Sequence, residues 1–349
     1  MIHRAFSLAA SLPFAFVTAC TAPLALPDGS APVRFEACTT PGRASLRGLS
    51  VVDRDTVWVG GAKGTLWRTR DGGTSWQDVA PPDSAACDFR DVEAFDADTA
   101  LAMVAGQPAR LYRTSDGGKT WTIVLADARA AAFFDAMAFG GDVGILFGDP
   151  IDGAFCVWTS TDAGRTWNAV PAEHLPAPLA GEAAFAASGS CVAVDGTSAD
   201  PTFLIATGGG ERARLLYGRS GRWTAIEMPL AAGGSSRGGF GLAVGPEGTV
   251  LVGGDYADPT RSDGTAAFRV GGYPSWSSAN GGAGGFRSAA VWIDRERVLA
   301  VGSHGLSLSG DGGRSWTVLR EAGWHALGRG RDGSVFACGS DGRVARVVL

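Results

Sequence analysis

The chain has 349 residues, with 35 acidic against 30 basic side chains, a net charge of −5, and 52 glycines in an otherwise ordinary apolar composition. Mild acidity without a basic patch gives no electrostatic footprint for nucleic acid. Short apolar runs separated by glycine-rich turns, with no long amphipathic helical period after the first 20 residues, point to an all-β class.

At the N-terminus, His3 and Arg4 form a basic start, residues 5–17 an apolar run, and Val17-Thr18-Ala19-Cys20 follows. The run is too short to be a permanent membrane span and reads as a signal peptide over 1–19, with a linker over 20–32. The tetrapeptide resembles a bacterial lipoprotein box, in which Cys20 becomes the lipidated first residue. Ordinary cleavage after Ala19 is the alternative. Either implies an exported protein, periplasmic or held at the outer membrane, with a lipid anchor as its only membrane contact. Thr21 after the cysteine resembles the outer-membrane sorting pattern. Export permits disulfides among Cys38, Cys87, Cys156, Cys191 and Cys338. Cys38 and Cys87 precede corresponding strands and are the preferred pair, although the pairing stays open and an odd number leaves one thiol over. No C-x-x-C spacing supports a metal, and no cofactor is expected.

Residues 33–349 are organised by repetition. Four copies of [ST]-x-D-[GA]-G-x-[TS]-W occur, built on Asp71 and Trp76, Asp116 and Trp121, Asp162 and Trp167, and Asp311 and Trp316. Each copy reads as a tight turn between two strands. The Asp oxygens accept N–H groups that follow them, the glycine supplies a positive φ, and the Trp packs between neighbouring units. An Asp occupied in this way has little left for a ligand. Weaker copies end at Trp223 and Trp276, so the six Trp positions are separated by 45, 46, 56, 53 and 40 residues. That spacing suits units of four short strands, the size of a propeller blade. A partial unit after Trp316 lacks its fourth strand, which residues 33–38 supply. The expected fold is a seven-bladed β-propeller of four-stranded antiparallel blades, the last closed by an N-terminal strand. Six blades is the alternative, should the stretch between Trp167 and Trp276 be irregular.

The four strong motifs look like Asp-box (BNR) repeats, and the whole set resembles the seven-bladed propellers of the photosystem II stability and assembly factor-like family. The resemblance implies a non-catalytic scaffold that holds an exported or membrane protein partner. The same motif occurs in sialidases and other glycosidases, so it supports a fold more than an activity.

In such a ring the inner strands start on one face and the repeated turns lie on the other. Strand starts place Arg47, Arg90, Asp135, Glu182, Arg237, Arg287 and His325 on the binding face, and loops add Asp149, Asp255 and Tyr256. The Phe residues ahead of Arg90, Asp135 and Arg287 are expected in the core between blades. Charges of both signs at one mouth suit a protein segment, a polar ligand or an anion; the plain alternative is a rim of mutually neutralising charges. As an enzyme, the chain would be a glycoside hydrolase with Asp135 and Glu182 as acid and base, or a sialidase-like variant with Tyr256 and an Arg47/Arg90/Arg287 clamp. A glycan-binding module is the third reading. A monomer is expected.

Overall fold

A computed structural model describes residues 33–271, 275–319 and 322–348. The proposed leader, Cys20 and the linker lie outside the described residues, as does part of the turn before Trp276.

Seven four-stranded antiparallel sheets are present, each a blade with its first strand innermost. Inner strands run Leu46–Val51, Phe89–Ala94, Phe134–Gly140, Val192–Thr197, Arg237–Gly245, Ala289–Trp292 and Ala326–Arg329. The seventh sheet pairs Arg34–Cys38 with Val344–Val348, so the last blade takes its outer strand from the N-terminal side. Glu36 pairs with Arg346 at 2.6 Å, and Phe35 stacks on Trp324, within this closing blade. The long stretch before Trp276 therefore holds two true blades. Helix is limited, among the described residues, to two single 3₁₀ turns at Ala172–His174 and Ser340–Gly342.

The repeated turns do what their residues dictate. In the first, Asp71 Oδ1 accepts the Ser75 N–H at 2.8 Å and its Oδ2 accepts the Ser75 hydroxyl at 2.5 Å, while the Thr69 hydroxyl donates to Asp71 and accepts the Gly73 N–H. The other three copies repeat the network around Asp116, Asp162 and Asp311. Hydrogen bonds from the hydroxyls and amides of Ser75 and Thr120 hold Asp71 and Asp116 down at about 2. Where the motif degenerates, at Ser220-Gly221, two successive positive φ angles make an ordinary two-residue hairpin turn.

The second glycine of each strong turn has a further duty. Gly73, Gly118, Gly164 and Gly313 all have positive φ. A Cβ there would come within 2.4 Å of Cys38, 2.6 Å of Val79, 2.5 Å of Leu101 and 2.6 Å of Val250, each in the preceding blade. The turn tip is thus a blade-to-blade contact, and the half-buried Trp beside it joins the same interface: Trp76, Trp121, Trp167 and Trp316 each pack against one of the inter-blade cores. Phe89 and Phe134 are buried in these cores as expected.

The preferred Cys38–Cys87 disulfide is not formed; all five cysteines are free thiols. Cys38 packs beside the core between blades seven and one, whereas Cys87 lies in the core between blades one and two. Corresponding positions on successive blades are kept apart by the blade that separates them.

Two neighbouring substitutions test this account of the turn. Gly164→Ala, with φ of +72° and no room for the methyl, is expected to cost about 2–4 kcal/mol. Ala163 already sits at φ +56°, so Ala163→Gly should raise stability by about 0.5–1 kcal/mol in denaturant unfolding.

Candidate functional site

Inner strands of blades one, two and three all carry a β-bulge at their second residue. Pairing skips from Leu46 to Gly48, from Phe89 to Asp91 and from Phe134 to Ala136, and blade five skips likewise from Gly239 to Gly241. The unpaired residues are Arg47, Arg90, Asp135 and Phe240, and all four line one cavity of about 430 Å³. A bulge turns a side chain out of the ladder and toward the mouth of the ring. A skip from Gly148 to Ile151 releases Asp149 into the same cavity, whose lining also includes Phe133, Phe185, Tyr256, Phe286, Ser288, Ser303 and His325. The repeated turns fall on the other face: Gly310, Asp311 and Gly312 share a groove with Asp294 and Arg295, which also border a cavity of about 700 Å³ at the opposite mouth.

The floor between the mouths is the chain itself. Residues 183–190, which precede the inner strand of blade four, run across the ring in irregular conformation. Arg47 Nη1 donates to Ala187 O at 3.1 Å and Arg90 Nη1 to Ala186 O at 3.3 Å. On the far side the Ser188 hydroxyl donates to Ser288 O at 2.7 Å, and Leu242 N donates to Ser190 O at 2.7 Å. Gly189 lies so close to Asp91 that a Cβ would come within 2.3 Å of its carboxylate. Phe185 stacks on Phe240 at 4.0 Å, and half-exposed Tyr256 stands edge-on to Phe185, Phe240 and Phe286.

Electrostatically the cavity has two parts. Arg90 is paired with Asp88 at 2.8 Å. Arg47, half-buried, has no carboxylate within salt-bridge distance among the described residues, and burial together with the Arg90 charge lowers its pKa. His325 donates from Nδ1 to Leu46 O at 2.9 Å; burial and Arg47 lower its pKa, leaving a neutral ring. Opposite, Asp135 is 1 % exposed, and neither of its oxygens, nor Oδ1 of Asp149, receives a donor from the described residues. The two carboxyls face each other. Burial, then the Asp149 charge and a proton bond to it, raise Asp135 well above the carboxylate range. Burial also raises Asp149, against a pull from the Ala184 N–H. Both shifts favour the protonated form, more strongly at Asp135.

Six expected residues are brought together: Arg47, Arg90, Asp135, Asp149, Tyr256 and His325. Four are not. Glu182 lies in a loop ten residues ahead of the blade-four inner strand, where it is 3 % exposed and accepts from Leu179 N, the Thr207 hydroxyl and a bidentate Arg214. Its acceptors are saturated, and Asp135 faces Asp149 instead. Arg237 and Asp255 close on each other at 2.8 Å outside the cavity. Arg287 is 1 % exposed and turned inward onto the Ser307 hydroxyl and Phe286 O; burial lowers its pKa to about 10. Phe286 is buried as expected and also borders the cavity. Phe133, Phe185 and Phe240 were not anticipated. The small-residue run 183–190 and the glycines flanking Phe240 were the available signals.

No family model and no curated protein sequence matches this chain. Solved structures do. The chain is similar to YCF48 bound to D1 peptide (17% identity, TM-score 0.61, 90% of this chain and 95% of that one). It is similar to YCF48 from Cyanidioschyzon merolae (18%, 0.62, 89% and 98%). A GH74 xyloglucanase from Xanthomonas campestris also matches (16%, 0.62), over 90% of this chain and 53% of that one. At such identities the likeness establishes the propeller. It does not choose between a binder and a hydrolase.

The buried acid gives a stability prediction. A carboxyl whose folded pKa is raised contributes fully below its unfolded value near 4, and that contribution is lost as pH rises toward the folded value. Asp135→Asn cannot ionise, so its melting temperature should exceed wild type at about pH 8 and lose that advantage at about pH 4.

Proposed function

We propose that this protein is an exported, non-catalytic scaffold that holds a segment of a partner protein against the Arg47/Arg90 mouth. The observation that carries the reading is Arg47: a half-buried guanidinium with no counter-ion among the described residues, held by one bond to Ala187 O above a preformed aromatic wall. A bulge-fixed cation beside Phe240, Phe286 and Tyr256 suits a segment that offers an acidic group next to an apolar one. YCF48, to which the fold is similar, has been solved with a D1 peptide, which supports a peptide over a sugar. The hydrolase reading loses its expected pair. Glu182 is saturated by Arg214, and Asp135 faces Asp149 from the same blade, with burial favouring its neutral form, in place of the expected partner on the neighbouring blade.

In the native envelope, cross-linked partners should be lost from the Arg47→Ala/Arg90→Ala variant and kept by Glu182→Gln. Retention of every partner by the arginine variant rejects this surface. The lipoprotein-box reading places a lipid on Cys20, so Cys20→Ser should move the protein from the membrane to the soluble fraction; unchanged fractionation rejects the anchor.

A further inference from the structure

The carboxyl pair in the wall of the docking cavity is not used by the scaffold reading. Asp135 is a buried acid with two unpartnered oxygens, placed by a β-bulge so that it faces the cavity and not the ladder. Asp149 comes from the next strand of the same blade, at a second shift in the pairing register. Two acids held together at the mouth that carries the unpaired Arg47 set the local charge by how many protons they keep.

We propose that Asp135 and Asp149 form a proton-loaded gate on the cavity, admitting an organic anion with an apolar body while protonated and rejecting it once ionised. This rests on the docking reading above and supplies its regulation. The groups facing the pair account for the direction. Arg90 approaches from blade two with Asp88 already on it, and Arg47 stands beside it from blade one. The crossing segment offers only the Ala184 N–H and, below, the buried Cys191 thiol. Blade seven contributes His325, which is neutral, and blade five contributes the phenol of Tyr256. Among the described residues, no cation besides Arg47 and Arg90 lines the cavity to offset a second negative charge. With both protons on, the mouth has one positive charge in excess. Each proton released to solvent removes one unit, so an anion beside Arg47 is held less tightly at every step. Burial places these steps above the ordinary carboxylate range.

The test uses p-toluenesulfonate, an aryl anion whose own charge does not titrate, binding to the full chain by calorimetry. From about pH 5 to about pH 9 its dissociation constant should rise at least about tenfold, the change that one pKa unit of coupling produces. Asp135→Asn/Asp149→Asn should bind tightly at every pH, and Arg47→Ala should abolish binding throughout. Asp149→Asn alone, at the more exposed member, should flatten the slope if the double variant does not fold. A flat wild-type profile, a slope that survives in the double Asn variant, or one that Asp149→Asn leaves undiminished, overturns the gate while loss on Arg47→Ala leaves the docking reading standing. Failure of the probe to bind at any pH, or binding unaffected by Arg47→Ala, overturns both.

Discussion

A Cβ on the second turn glycine of blades one, two, three and six would sit 2.4–2.6 Å from an atom of the blade before it, so the ring closes to this radius only because those positions carry hydrogen. The approach also requires positive φ, which glycine adopts without strain. The Asp, the Ser or Thr two residues before it and the Ser or Thr four residues after it form the frame that presents that glycine. The Trp that follows fills the wedge opening outward beside the contact. Spacing between blades, and hence the width of the central well, follows from a contact made on the face remote from the cavity.

With the blades set, the inner strands decide what the well contains. A regular ladder would alternate side chains between the two faces of each blade and leave the mouth to backbone. The bulges break that alternation at one level of the ring, and they deliver Arg47, Arg90, Asp135 and Phe240 to a common depth. Two of these are cations, one is an acid held neutral and one is aromatic. The chemistry of the mouth therefore arises from a backbone irregularity repeated by the fold and filled differently in each blade.

The blade count, the closing strand and the role of the turn Asp were legible because each rests on local chemistry: an Asx-type turn, a strand period, a missing fourth strand. Arg47, Arg90 and Asp135 were legible by position, since the repeat aligns them. Arg287 occupies the aligned position in blade six but turns inward, because Ser307 and the Phe286 carbonyl offer acceptors there. Glu182 failed for a different reason. Blade four begins ten residues later than alignment suggests, and the displaced segment becomes the floor of the well. The cysteines failed because likeness of position in a ring means separation by a blade. Long-range placement of an irregular segment has no periodic signature to read.

That floor has a mechanical consequence. The chain crosses every junction between blades, and the one closure it does not tie lies inside blade seven, at the seam where Arg34–Cys38 is held to Val344–Val348 by strand hydrogen bonds, the Glu36–Arg346 pair and the Phe35–Trp324 stack. Left to itself, a ring unzipped there could uncurl into an arc. Residues 183–190 act as spokes: they leave blade four at the hub and fasten blades one and two on one side to blades five and six on the other. Parting the seam would also have to pull those fastenings off. The wheel is braced from its axle, and the two arginines at the cavity mouth are themselves part of that brace.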